Sequence, residues 1–108
     1  MLKKTNRLAK ANDIAAAFSR GRSFFNPFFT LKFLSAPSIK RFTIVVSTKV
    51  FKSAVKRNRL KRVIREYIRK NLALFKNGSY LVIAKPKIAR LEEKNVLPNF
   101  LDVSSKVR

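Results

Sequence analysis

Lys52–Asn71, KSAVKRNRLKRVIREYIRKN, decides how the rest of the chain must be arranged. At about 100° per residue it separates into two faces. Leu60, Val63, Ile64, Tyr67, Ile68 and Leu72 recur at i, i+3, i+4 and i+7 and form an apolar stripe. Asn58, Lys61, Arg62, Arg65 and Arg69 gather on another side, and Arg59 and Lys70 widen the charge towards a third. Glu66 is the segment's single acid, four residues after Arg62, which is spacing for a weak helical pair. The pattern predicts a helix from near Ser53, a residue suited to the N-cap, to Leu72 or Leu74. Its stripe must be buried against other elements. Its cations repel one another unless an anion neutralises them, and a phosphate backbone is the natural candidate.

The flanking segments supply what the stripe can pack on. Upstream, Phe28–Ser35 alternates: Phe29, Leu31 and Phe33 on a core face, Phe28, Thr30, Lys32 and Leu34 on the other. That second face, with its ring, hydroxyl and cation, suits an edge of the core or a groove for a nucleic-acid strand. After the turn at Ala36-Pro37-Ser38, residues 40–48 alternate again, with Phe42, Ile44 and Val46 on one side. The short connection predicts an antiparallel hairpin. Val50-Phe51 is read as a brief further strand. Downstream, Asn77-Gly78 turns the chain, and Ser79–Lys85 is a nearly continuous apolar run, predicting a buried central strand that Pro86 ends. Hairpin, helix and strand form a βαβ-type crossover if the strands run parallel.

At the N-terminal end, Arg7 and Leu8 are expected to be the first docked residues of a basic segment, 1–11. Asn12 is expected to cap a helix over about 13–20, with Asp13 in its first turn and Gly21 beyond its end. Ala17 and Ala16 belong on its apolar face. Phe18 fits two roles, a core side chain or an exposed ring on which an unpaired base stacks. Residues 20–23 are read as a loop. At the other end, 87–108 is a helical segment containing Pro98. It holds either a short helix near 91–97 or one that starts near Pro98 at its first position.

The whole composition agrees with an anionic partner. The chain has 108 residues, enough for one modest domain, and 46% of them are hydrophobic, so it has a core to fold around. It carries 26 Lys and Arg against 5 Asp and Glu, a net charge of +21. That is more positive charge than solubility requires and points to nucleic acid ahead of an anionic membrane. There is no Cys and no His, which excludes disulfides, thiol catalysis, imidazole general bases and thiolate or imidazole metal sites. No run approaches a membrane span or a signal-peptide core, so a cytoplasmic protein is expected.

Arg57-Asn58-Arg59-Leu60-Lys61-Arg62-Val63-Ile64-Arg65 resembles the signature of the protein component of bacterial ribonuclease P: an RNR motif followed by an apolar–Lys–Arg–apolar–apolar–Arg run. The resemblance extends in order through Arg7-Leu8, Phe18-Ser19-Arg20-Gly21, Val46-Ser47-Thr48-Lys49, Ser53-Ala54-Val55 and the Tyr80–Pro86 run, over roughly residues 7–86. It implies an α/β sandwich of two layers and order αβββαβα with a mixed central sheet of about four strands, as one RNA-binding domain over 1–108. It implies the subunit of an endonuclease that removes the 5′ leader from precursor tRNA, one protein per catalytic RNA. The catalytic centre and its magnesium ions would lie in that RNA, with no catalytic or metal-binding residue in this chain. By the same resemblance Arg57, Asn58, Arg59, Lys61, Arg62 and Arg65 contact the catalytic RNA, unless Asn58 bonds backbone near the helix start instead; Arg69, on the same charged side of the helix, is expected to join them. A cleft between the first helix and the sheet, with Ile14, Phe18 and Lys32 at its positions, holds the single-stranded leader in this resemblance; Phe28 or Phe24 is the candidate to supply a further ring there. Many family members carry a ring at the positions of Ile14 and Lys32, where this chain has none. The alternatives are a structural ribosomal protein bound to rRNA, which needs neither signature nor cleft, and a DNA- or membrane-binding basic protein, which leaves the patterned core unexplained.

Overall fold

The computed structural model describes residues 6, 7 and 11–107. Their order is α1 (Ala11–Arg20), β1 (Arg22–Phe25), β2 (Phe29–Ser35), β3 (Lys40–Val45), α2 (Ala54–Lys70), β4 (Gly78–Ala84) and α3 (Val96–Ser104), with short 3-10 turns at Leu72–Leu74, Pro86–Arg90 and Glu93–Asn95. This is the expected αβββαβα order around a mixed four-stranded sheet.

The strands lie in the order β1-β2-β4-β3. β4 is buried along nearly its whole length, and a strand apolar on both faces belongs in the middle of a sheet. It runs antiparallel to β2, with Phe33 opposite Tyr80, and parallel to β3, with Phe42 opposite Tyr80. The expected β2–β3 hairpin therefore does not form. The two strands have the antiparallel directions that their short connection imposes, but β4 lies between them. Gly78, at φ 154°, opens β4 where its N–H reaches the carbonyl of Ile39. β3 stops at Val45, and Val46–Phe51 turns back through the Val50 N–H to Ser47 carbonyl bond, so Val50-Phe51 makes no strand.

One layer of the core lies between the sheet and α2 with α3. Leu60, Ile64 and Ile68 of α2 and Val96, Phe100 and Val103 of α3 meet Phe29, Leu31, Phe33, Phe42, Ile44, Tyr80 and Val82 from the sheet. The stripe read from α2 is thus the buried one. Each fully buried Ile contributes about 1.5–3 kcal/mol by leaving water. Rings knit this layer together: Phe42 stacks on Tyr80 at 4.6 Å, and Phe75 meets both edge-on. Burial raises the Tyr80 phenol to about 12, and its hydroxyl donates to the Lys76 carbonyl at 2.7 Å.

α1 crosses part of the other sheet face, over β2 and β4, with Ala17 fully buried. It begins at Ala11, so Asn12 lies in its first turn rather than capping it. Asp13 does occupy that turn and pairs with Arg41 of β3 at 3.4 Å. Gly21 ends the helix because of close approach: its N–H bonds the Ala17 carbonyl, and a Cβ there would come within 2.3 Å of that oxygen. Residues 22–25, read as loop and approach, form edge strand β1 on β2. Arg7 is docked, bridging to Phe42; Leu8 lies outside the described residues. α3 starts at Val96, which puts Pro98 in its first turn, where a missing N–H leaves no helical bond unmade.

Candidate nucleic-acid interface

α2 is fixed at its start by Ser53, whose hydroxyl accepts from the Lys56 N–H, and along its length by the buried stripe. This orientation sorts the seven polar residues expected to meet RNA. Asn58, Arg62 and Arg65 are exposed on the side turned away from the core, and Lys61 is half-buried at its flank. Among the described residues these four side chains have no hydrogen-bond or ion-pair partner. Their donors are open to an incoming phosphate.

The other three are engaged. Arg57 lies near the stripe, and its Nη1 donates to the carbonyls of Phe51 at 2.9 Å and Lys52 at 2.8 Å, tying down the chain where it enters the helix. Arg59 forms a two-pronged bond with Glu93, Nε to Oε1 at 2.8 Å and Nη2 to Oε2 at 2.9 Å. The pair sits on the rim of an apolar groove of about 190 Å³ between α2 and the 86–96 segment, lined by Leu60, Val63, Ile88 and Leu91. The Arg59 guanidinium holds the Glu93 carboxyl below its ordinary range. Arg69 forks onto Glu66 at 2.9 and 3.2 Å and draws its pKa down to about 2. Glu66 was expected to pair with Arg62, four residues before it. It takes the cation on its C-terminal side instead, the orientation that the helix dipole favours.

The second candidate surface is the sheet face that α1 leaves uncovered. Phe18 is 57% exposed, so it is no core residue. The Lys32 ammonium lies 5.1 Å from its ring centroid, bringing helix and strand together as expected. Ile14 is half-buried on the same helix. Phe28 departs from expectation. The Asn26 side chain accepts from the N–H groups of Phe28 and Phe29 at 2.9 and 2.8 Å and holds a bend, so β2 begins only at Phe29. The half-buried Phe28 ring packs against the main core, a packing role rather than a stacking one.

Three residues escaped the sequence reading. Glu93 carried no local signal, since its partner is 34 residues away. Asn26 is a buried polar residue whose Nδ2 donates to the Asn99 carbonyl at 2.8 Å and to Asp102 Oδ2 at 3.1 Å, joining the β1–β2 bend to α3. Phe25 is 64% exposed with the Lys85 ammonium 5.2 Å from its ring, and strand alternation from an inward Phe24 would have pointed to it.

The described residues bring together no group of three or more His, Cys, Asp or Glu. Each of the chain's five carboxylates faces a cation, Asp13 with Arg41, Glu66 with Arg69, Glu92 with Lys94, Glu93 with Arg59 and Asp102 with Lys106. Among the described residues no helix is long and apolar enough to cross a membrane.

The family model described as Ribonuclease P matches residues 2–108. A ribonuclease P protein component of Pseudanabaena sp. is 37% identical over 91 residues, 82% of this chain and 78% of the relative. One of Bacillus velezensis is 36% identical over 85 residues, 78% of this chain and 73% of the relative. Among solved structures, the RNase P protein of Staphylococcus aureus superposes with a TM-score of 0.89 at 25% identity, covering 97% of each chain. The one from Thermotoga maritima gives 0.82 at 29% identity, covering 94% of this chain and 97% of that one.

Proposed function

This chain belongs to the family of bacterial ribonuclease P protein components, and we propose that it serves that ribonucleoprotein with two separate RNA-facing surfaces. It is the protein subunit of ribonuclease P and takes part in the endonucleolytic maturation of tRNA 5′ ends. In our reading the outer face of α2 binds the catalytic RNA, and the sheet face beside α1 holds the single-stranded leader of precursor tRNA. A role as a structural ribosomal protein is not favoured by this family membership.

The observation that carries the reading is the set of cations without partners among the described residues: Arg62 and Arg65 on the side of α2 turned away from the buried stripe, and Lys61 at its flank. Arg62 and Arg65 fork onto phosphates or stack on bases, and Lys61 acts as a mobile point charge. Asn58 adds a neutral donor and acceptor. Arg59 and Arg69 join only when RNA phosphate displaces Glu93 and Glu66, and Arg57 chiefly sets the helix start. Phe18 offers its exposed ring to an unpaired base, with Lys32 beside it for the adjoining phosphate.

The catalytic centre and its magnesium ions belong, in this reading, to the partner RNA, with one protein per RNA in the cytoplasm. The chemistry of this chain supports that division. It has no imidazole or thiol, and its five Asp and Glu side chains each face a cation in the unbound protein.

Reconstitution tests the proposal. The chain with a bacterial ribonuclease P RNA at low magnesium should cleave precursor tRNA at the mature 5′ end, where either alone does not. Arg62→Ala with Arg65→Ala should demand more protein for the same rate. Phe18→Ala should weaken binding of leader-bearing tRNA while sparing mature tRNA. Unchanged RNA affinity in the double variant, or equal losses for both tRNAs, would refute the corresponding surface.

A further inference from the structure

We propose that β1 carries a second base-stacking subsite, in which Phe25 receives an unpaired nucleobase of the leader and Lys85 the phosphate next to it. The proposal rests on the reading of the α1-side sheet face as the leader surface. It adds a subsite one strand further out.

Strand register places the new pair on that face. Phe24 lies opposite Leu31 and packs on the main core, so its neighbour Phe25, opposite Thr30, must project from the other side. Ser23 projects there too, opposite Lys32, whose ammonium caps the Phe18 ring. Lys85 follows the inward Ala84 of β4 and reaches the same side, 5.2 Å from the Phe25 ring centroid. The uncovered face therefore presents two ring–ammonium pairs, Phe18 with Lys32 and Phe25 with Lys85. Phe25 stands two residues along β1 from Ser23, roughly 7 Å.

A lone exposed ring needs no explanation in a soluble protein. What distinguishes Phe25 is its setting. The Lys85 ammonium is held by a 2.7 Å bond to the Asn26 carbonyl and keeps two donors for an anion. A further cation, Lys106, donates to the Phe25 backbone carbonyl at 2.9 Å and holds the strand end that carries the ring. An apolar ring beside one fixed ammonium group, continuous with the proposed leader surface in a chain of net charge +21, is complementary to a stacked base and its phosphate. Positions 14 and 32 hold Ile and Lys, so the α1 side alone offers one exposed ring, Phe18, and Phe25 supplies a second.

The test uses the reconstituted ribonucleoprotein and compares affinities for precursor and mature tRNA across Phe18→Ala, Phe25→Ala and Phe25→Tyr. Phe25→Ala should weaken precursor binding about 5- to 100-fold with mature tRNA unaffected, whereas Phe25→Tyr stays within about twofold of the parent. As the leader is shortened one nucleotide at a time, the effects of the two rings should vanish at different lengths, because different nucleotides occupy them. If Phe18→Ala impairs precursor binding and Phe25→Ala does not, the β1 subsite is refuted while the leader surface stands. If neither variant distinguishes precursor from mature tRNA, the leader surface itself falls. Equal losses for both tRNAs, or a lowered melting temperature in Phe25→Ala alone, would make Phe25 a structural residue and overturn the subsite.

Discussion

Glu93→Gln should tighten the grip of this protein on its catalytic RNA and steepen the salt dependence of binding. The reason lies in the two bonds, 2.8 and 2.9 Å, that occupy both donor edges of Arg59. A phosphate approaching that guanidinium must first displace a carboxylate, which also repels it. Each phosphate that a cation neutralises contributes roughly 0.7–0.9 to the slope of log affinity against log salt. Lys61, Arg62 and Arg65, the partnerless cations of the motif, account for a slope of about 2–3 on that scale. Releasing Arg59 adds roughly 0.7–0.9 to the slope, worth about threefold in affinity over a fourfold change in salt. For the same reason Arg59→Ala should cost less than Arg62→Ala, since only the second removes a guanidinium that is free beforehand. The assay is equilibrium binding of the catalytic RNA between about 50 and 200 mM salt, for parent, Glu93→Gln, Arg59→Ala and Arg62→Ala. Folding should be little affected, because the paired side chains are 69% and 50% exposed. If Glu93→Gln weakens binding or leaves the slope unchanged, the pair serves to pin the 86–96 segment to α2, and the reasoning is wrong.

Asn26→Ala should destabilise the fold by about 2–3 kcal/mol, because it leaves the buried Phe29 N–H without an acceptor and cuts the bend loose from α3. Urea denaturation should show a lower midpoint at an unchanged slope, and a loss below about 0.5 kcal/mol would mean that water replaces the side chain. Acid should act through the paired carboxylates. Arg69 lowers the folded-state pKa of Glu66 from 4.5 to about 2, and Arg59 lowers that of Glu93. A depressed folded pKa means that this stabilisation is complete above pH 4.5 and is lost as pH falls towards about 2. The pairs are exposed, so the decline should be shallow and should flatten in high salt; thermal melts that show rising stability over this range would contradict it.

The elements that local pattern controls were legible in the chain. The α2 stripe, the Ser53 cap, the alternation of β2 and the two-sided apolar run of β4 all stand where periodicity puts them. Strand adjacency was not. A four-residue connection dictates that β3 runs opposite to β2, but it is satisfied equally by strands side by side or one strand apart. Only the need of β4 for neighbours on both edges and layers on both faces separates the two, and that need is a property of a segment more than thirty residues later. Phe28 shows the same limit at the scale of one side chain. Alternation from Phe29 assigned it to the cleft face, and the Asn26 bend, held by contacts with α3, shortened the strand by one residue and turned the ring to the core.

The charge pattern was legible as an attraction to phosphate but not as a set of contacts. Helical phase placed five of the seven polar residues of α2 on one side and Arg59 towards another, without telling which of them is engaged within the protein. The fold divides them by partners that sequence spacing cannot supply, backbone carbonyls for Arg57 and Glu93 for Arg59, while Glu66 makes a choice between Arg62 and Arg69 that spacing alone leaves open. With five acids against twenty-six cations, the acids cannot set the net charge, yet two of them decide which guanidiniums are free in the unbound protein. On this argument the acids act as selectors: each withholds one arginine until a phosphate competes for it. The unbound helix then presents an open row at Asn58, Lys61, Arg62 and Arg65; on the proposed reading an incoming backbone meets this row first, before Arg59 joins from its flank and Arg69 from the C-terminal end of the same side.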